Sequence, residues 1–335
     1  MNKKLIAIAV ASVMAAPVAM ADMKMSGRVG LDFTSKSTDG ATNDPRGLSD
    51  SGTTRLQFDG TAGQAYARIA LDERLGRDDV TIDTSGAEAD ISTFDKTKRD
   101  VYLGYKFDNG MAVQAGRMGG ALKNLEKDKY IGTFLETRST VANSYTSSRY
   151  GSSSFVDDVF QLTTKAGGAK VKIQYGASEN TDTNNGHIAV GVSGKAGAVD
   201  YWVGYNNGAA DGDSLSPPYA SQSNIKVGGK MKFGTITASL NYTSMDKDGA
   251  VGAGNATDSI SLGADFNLGG GLSADFTYAT RSGDVAADDS EFYRLGVMKK
   301  INKSASAYAG YTSTDNDAAG SADSDEVGFG MIVKF

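Results

Sequence analysis

Few residues in this chain are equipped for chemistry. His187 is the only histidine and there is no cysteine. A histidine beside a carboxylate or a serine could serve acid–base or nucleophilic catalysis. His187 instead has Asn184 and Asn185 nearby and no nucleophile signature, so it reads as a residue at the end of a strand. Asp315, Asp317, Gly320 and Glu326 match the acidic and glycine positions of an EF-hand loop. Ala319 breaks the ligand pattern, and the flanking residues alternate like strands where an EF-hand needs helices. Asp315, Asp317 and Glu326 stand as a candidate for loose divalent-cation binding, with solvated loop charge as the other reading; Asp284, Asp288 and Asp289 are in the same position. Gly194-Lys195 lacks the earlier glycine and the following Ser/Thr of a phosphate loop, and reads as a turn. No catalytic set emerges, no cofactor is implied, and the chain reads as a non-enzyme.

The remaining chemistry is charge and its placement. The chain has 335 residues and a formal net charge of −6, which argues against nucleic acid as a partner, since that needs a basic face. Lys3 and Lys4, the apolar run Leu5–Ala16 and Ala19-Met20-Ala21 form the three regions of a secretory leader. Residues 1–21 are therefore expected to be removed, leaving 22–335 as one domain. Losing those two lysines takes the formal charge from −6 to −8. Apart from the leader there is no sustained apolar stretch, and none approaches the ~18–20 residues of a membrane helix.

What the chain has is alternation. Val327, Phe329, Met331, Val333 and Phe335 occupy alternate positions to the last residue, so an extended strand puts all five on one face. The same pattern recurs from residue 24 onward. Met25, Gly27, Val29, Leu31 and Phe33 oppose Ser26, Arg28, Gly30, Asp32 and Thr34. Ile236, Ala238, Leu240 and Tyr242 follow a turn at Gly234, and Ile260 to Leu268 turn at Gly269-Gly270-Gly271 into Leu272 to Tyr278. Asp108-Asn109-Gly110 is strong hairpin chemistry, because Asn and Gly tolerate positive φ. About sixteen such strands fit between 24 and 335, joined alternately by tight turns and longer polar loops. An even number of strands lets the first pair with the last, leaving no open edge in lipid.

The two faces differ in kind. Val, Leu, Ile, Phe, Tyr, Ala and Met fall on one; Arg28, Arg55, Arg68, Lys172, Lys226, Lys230, Lys232, Asn241, Asp265, Asp275 and Arg294 fall on the other. A packed interior rarely accepts so many charges, so the polar face lines water and the apolar face meets lipid. Phe58, Phe107, Tyr242, Phe266 and Phe335 sit near strand ends, where rings settle at membrane interfaces. The expected fold is all-β, a transmembrane antiparallel β-barrel of about sixteen strands. Tyr66, Tyr102, Trp202 and Tyr308 fall inward but are scattered, which argues against the aromatic ladder of a sugar channel.

The connection 119–154 is the longest and carries its own apolar residues, Leu122, Leu125, Tyr130, Ile131, Phe134 and Leu135. Gly116-Arg117 ahead of it, then Arg138 and Asn143-Ser144-Tyr145, resemble the general trimeric porins of Gram-negative bacteria. That family's Pro-Glu-Phe-Gly-Gly-Asp run is absent. The resemblance implies a third loop folded into the lumen, with Glu126, Asp128 and Glu136 across from Arg28, Arg55 and Arg68 as the pore constriction. It implies passive diffusion of ions and small hydrophilic solutes through the outer membrane, with a sugar or phosphate channel of the same fold as the alternative. It further implies a homotrimer among outer-membrane lipids and lipopolysaccharide, and a terminal Phe335 recognised by the barrel assembly machinery. Since inward positions hold more Lys and Arg than Asp and Glu, the lumen is expected to favour anions.

Overall fold

The computed structural model describes residues 22–40, 46–49, 54–73, 98–123, 125, 128–130, 133–136, 155–176, 187–208, 221–248, 256–284, 289–317 and 322–335. The leader, Glu126, Arg138 and Asn143-Ser144-Tyr145 lie outside them.

Every described element is a strand. They are β1 (Asp22–Thr38), β2 (Arg46–Ser49), β3 (Thr54–Ala62), β4 (Ala65–Glu73), β5 (Lys98–Lys106), β6 (Ala112–Gly119), β7 (Phe155–Ala166), β8 (Ala169–Gly176), β9 (His187–Ala196), β10 (Val199–Gly208), β11 (Ser221–Phe233), β12 (Ile236–Asp248), β13 (Ala256–Gly269), β14 (Leu272–Gly283), β15 (Ser290–Lys300), β16 (Ala305–Asn316) and β17 (Ser324–Lys334). From β3 onward consecutive strands pair antiparallel, and β1 pairs with β17 to close the sheet. Short β2 joins the upper part of β1, whose lower part pairs with β3. These two pieces share one stave, so seventeen strands make a barrel of sixteen. At four residues, β2 is too short for alternation to mark it in the sequence.

The barrel is inverted relative to a soluble fold. Along β17 the outward residues Val327, Phe329 and Met331 are 55%, 60% and 48% exposed, while Ile332 on the other face is buried. Period-two alternation produces this directly: one face meets hydrocarbon and the other meets water or what fills the lumen. Phe107, Tyr242, Phe266 and Phe335 are exposed on the outer wall, whereas Phe58 is half-buried. At the seam, Gly27 N–H donates to the Phe335 carbonyl at 2.9 Å and Phe335 N–H returns a bond at 3.1 Å. A Cβ on Gly27 would sit 2.4 Å from the Phe335 ring, so the last ring closes over a position that only glycine leaves open.

Hairpins close where the local chemistry predicts. Gly110 has φ +82°, and the Asn109 side chain accepts from Met111 N–H at 3.0 Å. The fully buried side chains include Tyr130, Leu135, Gln174 and Asp32. All lie on the lumen side, where the chain after β6 is seated.

Candidate pore constriction

The described residues after β6, up to 136, pack against inward side chains of the wall. Two glycines, Gly119 and Gly120, release the chain from the strand, and Lys123 N–H bonds back to the Gly120 carbonyl at 2.9 Å. Gln174 on β8 holds this exit, its amide donating to the Gly119 carbonyl at 2.9 Å. Ala121, Leu122 and Leu125 then pack on Ala189 of β9 and Trp202 of β10. They fit because the wall there is bare: a Cβ on Gly191 would lie 2.6 Å from the Ala121 carbonyl, and one on Gly204 2.7 Å from a Leu125 methyl.

The second anchor is on β13–β16. Asp128 accepts from Tyr130 N–H at 2.9 Å, which starts a tight turn, and Thr133 and Glu136 continue it with backbone bonds at 3.0 Å. This turn drops Tyr130 and Leu135 into a cluster with Met298, Tyr308 and Ile332, against which Phe134 packs. The wall again makes room with glycine. A Cβ on Gly296 would meet Tyr130 at 2.5 Å, one on Gly310 would meet Leu135 at 2.8 Å, and one on Gly328 would meet Phe134 at 3.2 Å. Phe134 N–H also donates to Asp32 of β1 at 3.1 Å, and Tyr308 Oη bonds the other oxygen of that carboxylate.

Electrostatics locks this anchor. Arg294 of β15 reaches Asp128 at 3.1 Å, Asp275 at 2.7 Å and the Leu135 carbonyl at 2.7 Å, and donates to Thr277 at 3.0 Å. Its guanidinium lies 4.8 Å over the Tyr130 ring. Lys129 pairs with Asp265 at 2.6 Å and stands 3.8 Å from Asp275. Burial, then the neighbouring Asp275 charge, push the Tyr130 phenol well above its ordinary value, so it stays neutral.

The six constriction candidates distribute as follows. Asp128 lies in the seated segment with its side chain only 4% exposed, and its described partner is Arg294 on β15. It therefore joins the anchor, whereas the sequence reading aimed it at the arginines of β1, β3 and β4. Glu136 ends the described part of the segment and is half-buried. Glu126 lies outside the described residues. Arg28 and Arg55 are register partners on β1 and β3. Arg68 on β4 binds Asp59 through Nε at 2.7 Å and faces Tyr102 at 5.8 Å. The alternation alone marks Arg294 as an inward charge and says nothing of its role. The inward glycines Gly191, Gly204, Gly296, Gly310, Gly328 and Gly330 are the signal that could have found the groove.

Two further readings are corrected. Tyr66 and Tyr102 are not scattered: their rings meet edge to face at 6.2 Å. Trp202 and Tyr308, by contrast, are covered by the seated segment. Asp315, Asp317 and Glu326 do not converge. In the β16–β17 register Glu326 stands opposite Thr312, three positions from Asp315, or about 10 Å along a strand. Among the described residues no group of three or more acidic or histidine side chains is arranged to hold a metal ion.

A family model described as Gram-negative porin matches residues 7–319. No curated relative matches the chain. The fold is similar to an anion-selective porin from Comamonas acidovorans, with TM-score 0.71 and 19% identity over 94% of this chain and 100% of that one. It is also similar to Salmonella typhi OmpF in complex with daunomycin, with TM-score 0.68 and 14% identity over 93% and 97%. In vitro folded OmpT, an outer-membrane protein of Vibrio cholerae in trimer form, gives 0.65 and 16% over 94% and 100%. At these identities the likeness speaks for the fold.

Proposed function

The chain belongs to the Gram-negative porin family, and from that premise we propose how its bore is narrowed and which solutes it favours. The barrel is an outer-membrane channel for passive diffusion of solutes. Its constriction, in our reading, lies between the seated segment 119–136 and the wall of β1, β3 and β4 that carries Arg28, Arg55 and Arg68. The observation that supports this is the buried anchor of Arg294, Asp128 and Asp275, which holds an otherwise irregular segment inside the lumen. With Asp128 in that anchor, our reading sets the segment's two other acids, Glu126 and Glu136, across the water from the arginines. Opposed charges at such a waist orient dipolar solutes as they pass.

The lumen favours small anions. Lys106, Lys165, Lys172, Lys195, Lys230 and Lys232 fall on the inward face near the turn side of the barrel, where the inward acids include Asp59, Asp200, Asp265 and Asp275. A Debye length of about 8 Å at physiological salt is long enough for such a lining to bias ions across a narrow bore. This bias is set by the wall and so coexists with a net charge of −6 on the whole chain.

The same reading takes residues 1–21 as a cleaved leader and 22–335 as the mature barrel. It includes a homotrimer among lipids and lipopolysaccharide, for which the trimer form of the Vibrio protein is support. Phe335 serves as the assembly signal, and the protein carries out no catalysis. Purified protein in a planar bilayer tests the core of this reading. Stepwise ionic conductance is expected, with a reversal potential in a KCl gradient that favours chloride. No channels would overturn the function, and a clear cation preference would overturn the selectivity.

A further inference from the structure

We propose that the β4–β5 wall is a stacking subsite for small aromatic carboxylates, acids with one aromatic ring and one carboxylate. In the register of this pair, Tyr66 stands opposite Gly104 and Arg68 opposite Tyr102. A Cβ on Gly104 would lie 2.3 Å from Tyr66 Cζ, so the Tyr66 ring rests directly on the bare backbone of β5. One ring face is therefore against the wall and the other is turned to the lumen. The exposed Lys106 places its ammonium over that ring, 5.0 Å from its centroid, so an incoming ring shares this face with the ammonium or displaces it. At the other end Tyr102 meets Tyr66 edge to face at 6.2 Å, and the Arg68 guanidinium lies 5.8 Å from the Tyr102 centroid.

The result is a column of cation, ring, ring and cation on one stretch of inner wall. Both rings are half-buried, unlike Trp202 and Tyr308, which the seated segment covers. An incoming aromatic ring gains offset stacking on the lumen face of Tyr66. Its carboxylate gains the Lys106 ammonium at one end of the column, while at the other end the Arg68 guanidinium already holds Asp59 at 2.7 Å. A saturated acid of the same size and charge meets the same ammonium but has no π face to offer. The subsite therefore sorts anions by ring type as well as by charge.

The inference rests on the channel reading, and the two fail separately. Benzoate and cyclohexanecarboxylate would be titrated as blockers of KCl current through the full-length protein in planar bilayers. Benzoate is expected to block at roughly three- to tenfold lower concentration, the range of a modest aromatic contact. Tyr66→Leu and Gly104→Val should each bring that ratio to about one with KCl conductance retained, the first by removing the ring and the second by lifting it off the wall. Equal block by the two acids in the unmodified channel overturns the subsite, as does a preference that survives Tyr66→Leu. Should Gly104→Val fail to insert, Tyr66→Leu still decides. Absence of KCl conductance in the unmodified protein would instead sink the channel reading.

Discussion

Two sectors of the inner wall are built from the same residue types and use them in opposite ways. Where β14 and β15 meet the seated segment, Arg294, Asp275 and Asp128 are 7%, 2% and 4% exposed at the side chain, and their charges pair with one another and with Lys129. On β3–β5, Arg68 and Asp59 make a pair of similar length, but their side chains are 34% and 28% exposed. A buried ion pair is held by geometry and is expensive to break from one side, because the orphaned charge stays buried. An exposed pair is screened and contributes little to stability. The first sector therefore holds the seated segment, while the second leaves its charges within reach of water. Position on the wall decides which, since both sectors draw on Arg, Asp and Tyr.

The sharpest way to break this contrast is Arg294→Ala. It strands Asp275 and Asp128, and a loss of about 3–5 kcal/mol is expected. Unfolding monitored by heat-dependent gel migration would show it, together with larger and noisier single-channel currents as the segment comes loose. If the barrel were unaffected, the anchor would not be what holds the loop. Gly204→Val should act next, by filling the groove that receives Leu122 and Leu125, at a cost of about 1–3 kcal/mol. Its conductance should rise without a change in charge preference, which bilayer recording can separate.

Deleting Phe335 tests the closing seam. Two backbone bonds to Gly27 and the ring over it are lost, so trimer yield in the outer membrane should fall while surviving channels conduct normally. Unchanged yield would remove the assembly role. The smallest stability effect belongs to Arg68→Ala, within about 1 kcal/mol. Reversal potentials should nonetheless move toward cations, a shift absent if this sector does not face the permeating ions.

Much of the barrel was legible residue by residue. Leu31 and Phe33, Ile260 and Leu262, and Val327 and Phe329 each announce an outward face, because lipid imposes the same demand on every stave. Asp108-Asn109-Gly110 announces its own turn. The site was legible only in part. Leu122, Leu125, Tyr130 and Leu135 signalled that the long connection packs on something, yet no periodicity says on what. The charge of Asp128 is legible, but nothing local marks Arg294 as its partner, and nothing local shows that Tyr66 and Tyr102 meet diagonally across β4 and β5.

The chain by itself determined the alternation, the turns and the inversion of polar and apolar faces, since these depend on neighbours within a few positions and on the solvent each face meets. Only the tertiary structure decided that Asp128 pairs with Arg294, 166 positions away, and that glycines on β9 and β10 and on β15–β17 make room for two parts of the same segment. Those contacts arise when the closed barrel brings distant staves around a single lumen, and no local pattern in the chain encodes which residues will face each other across it.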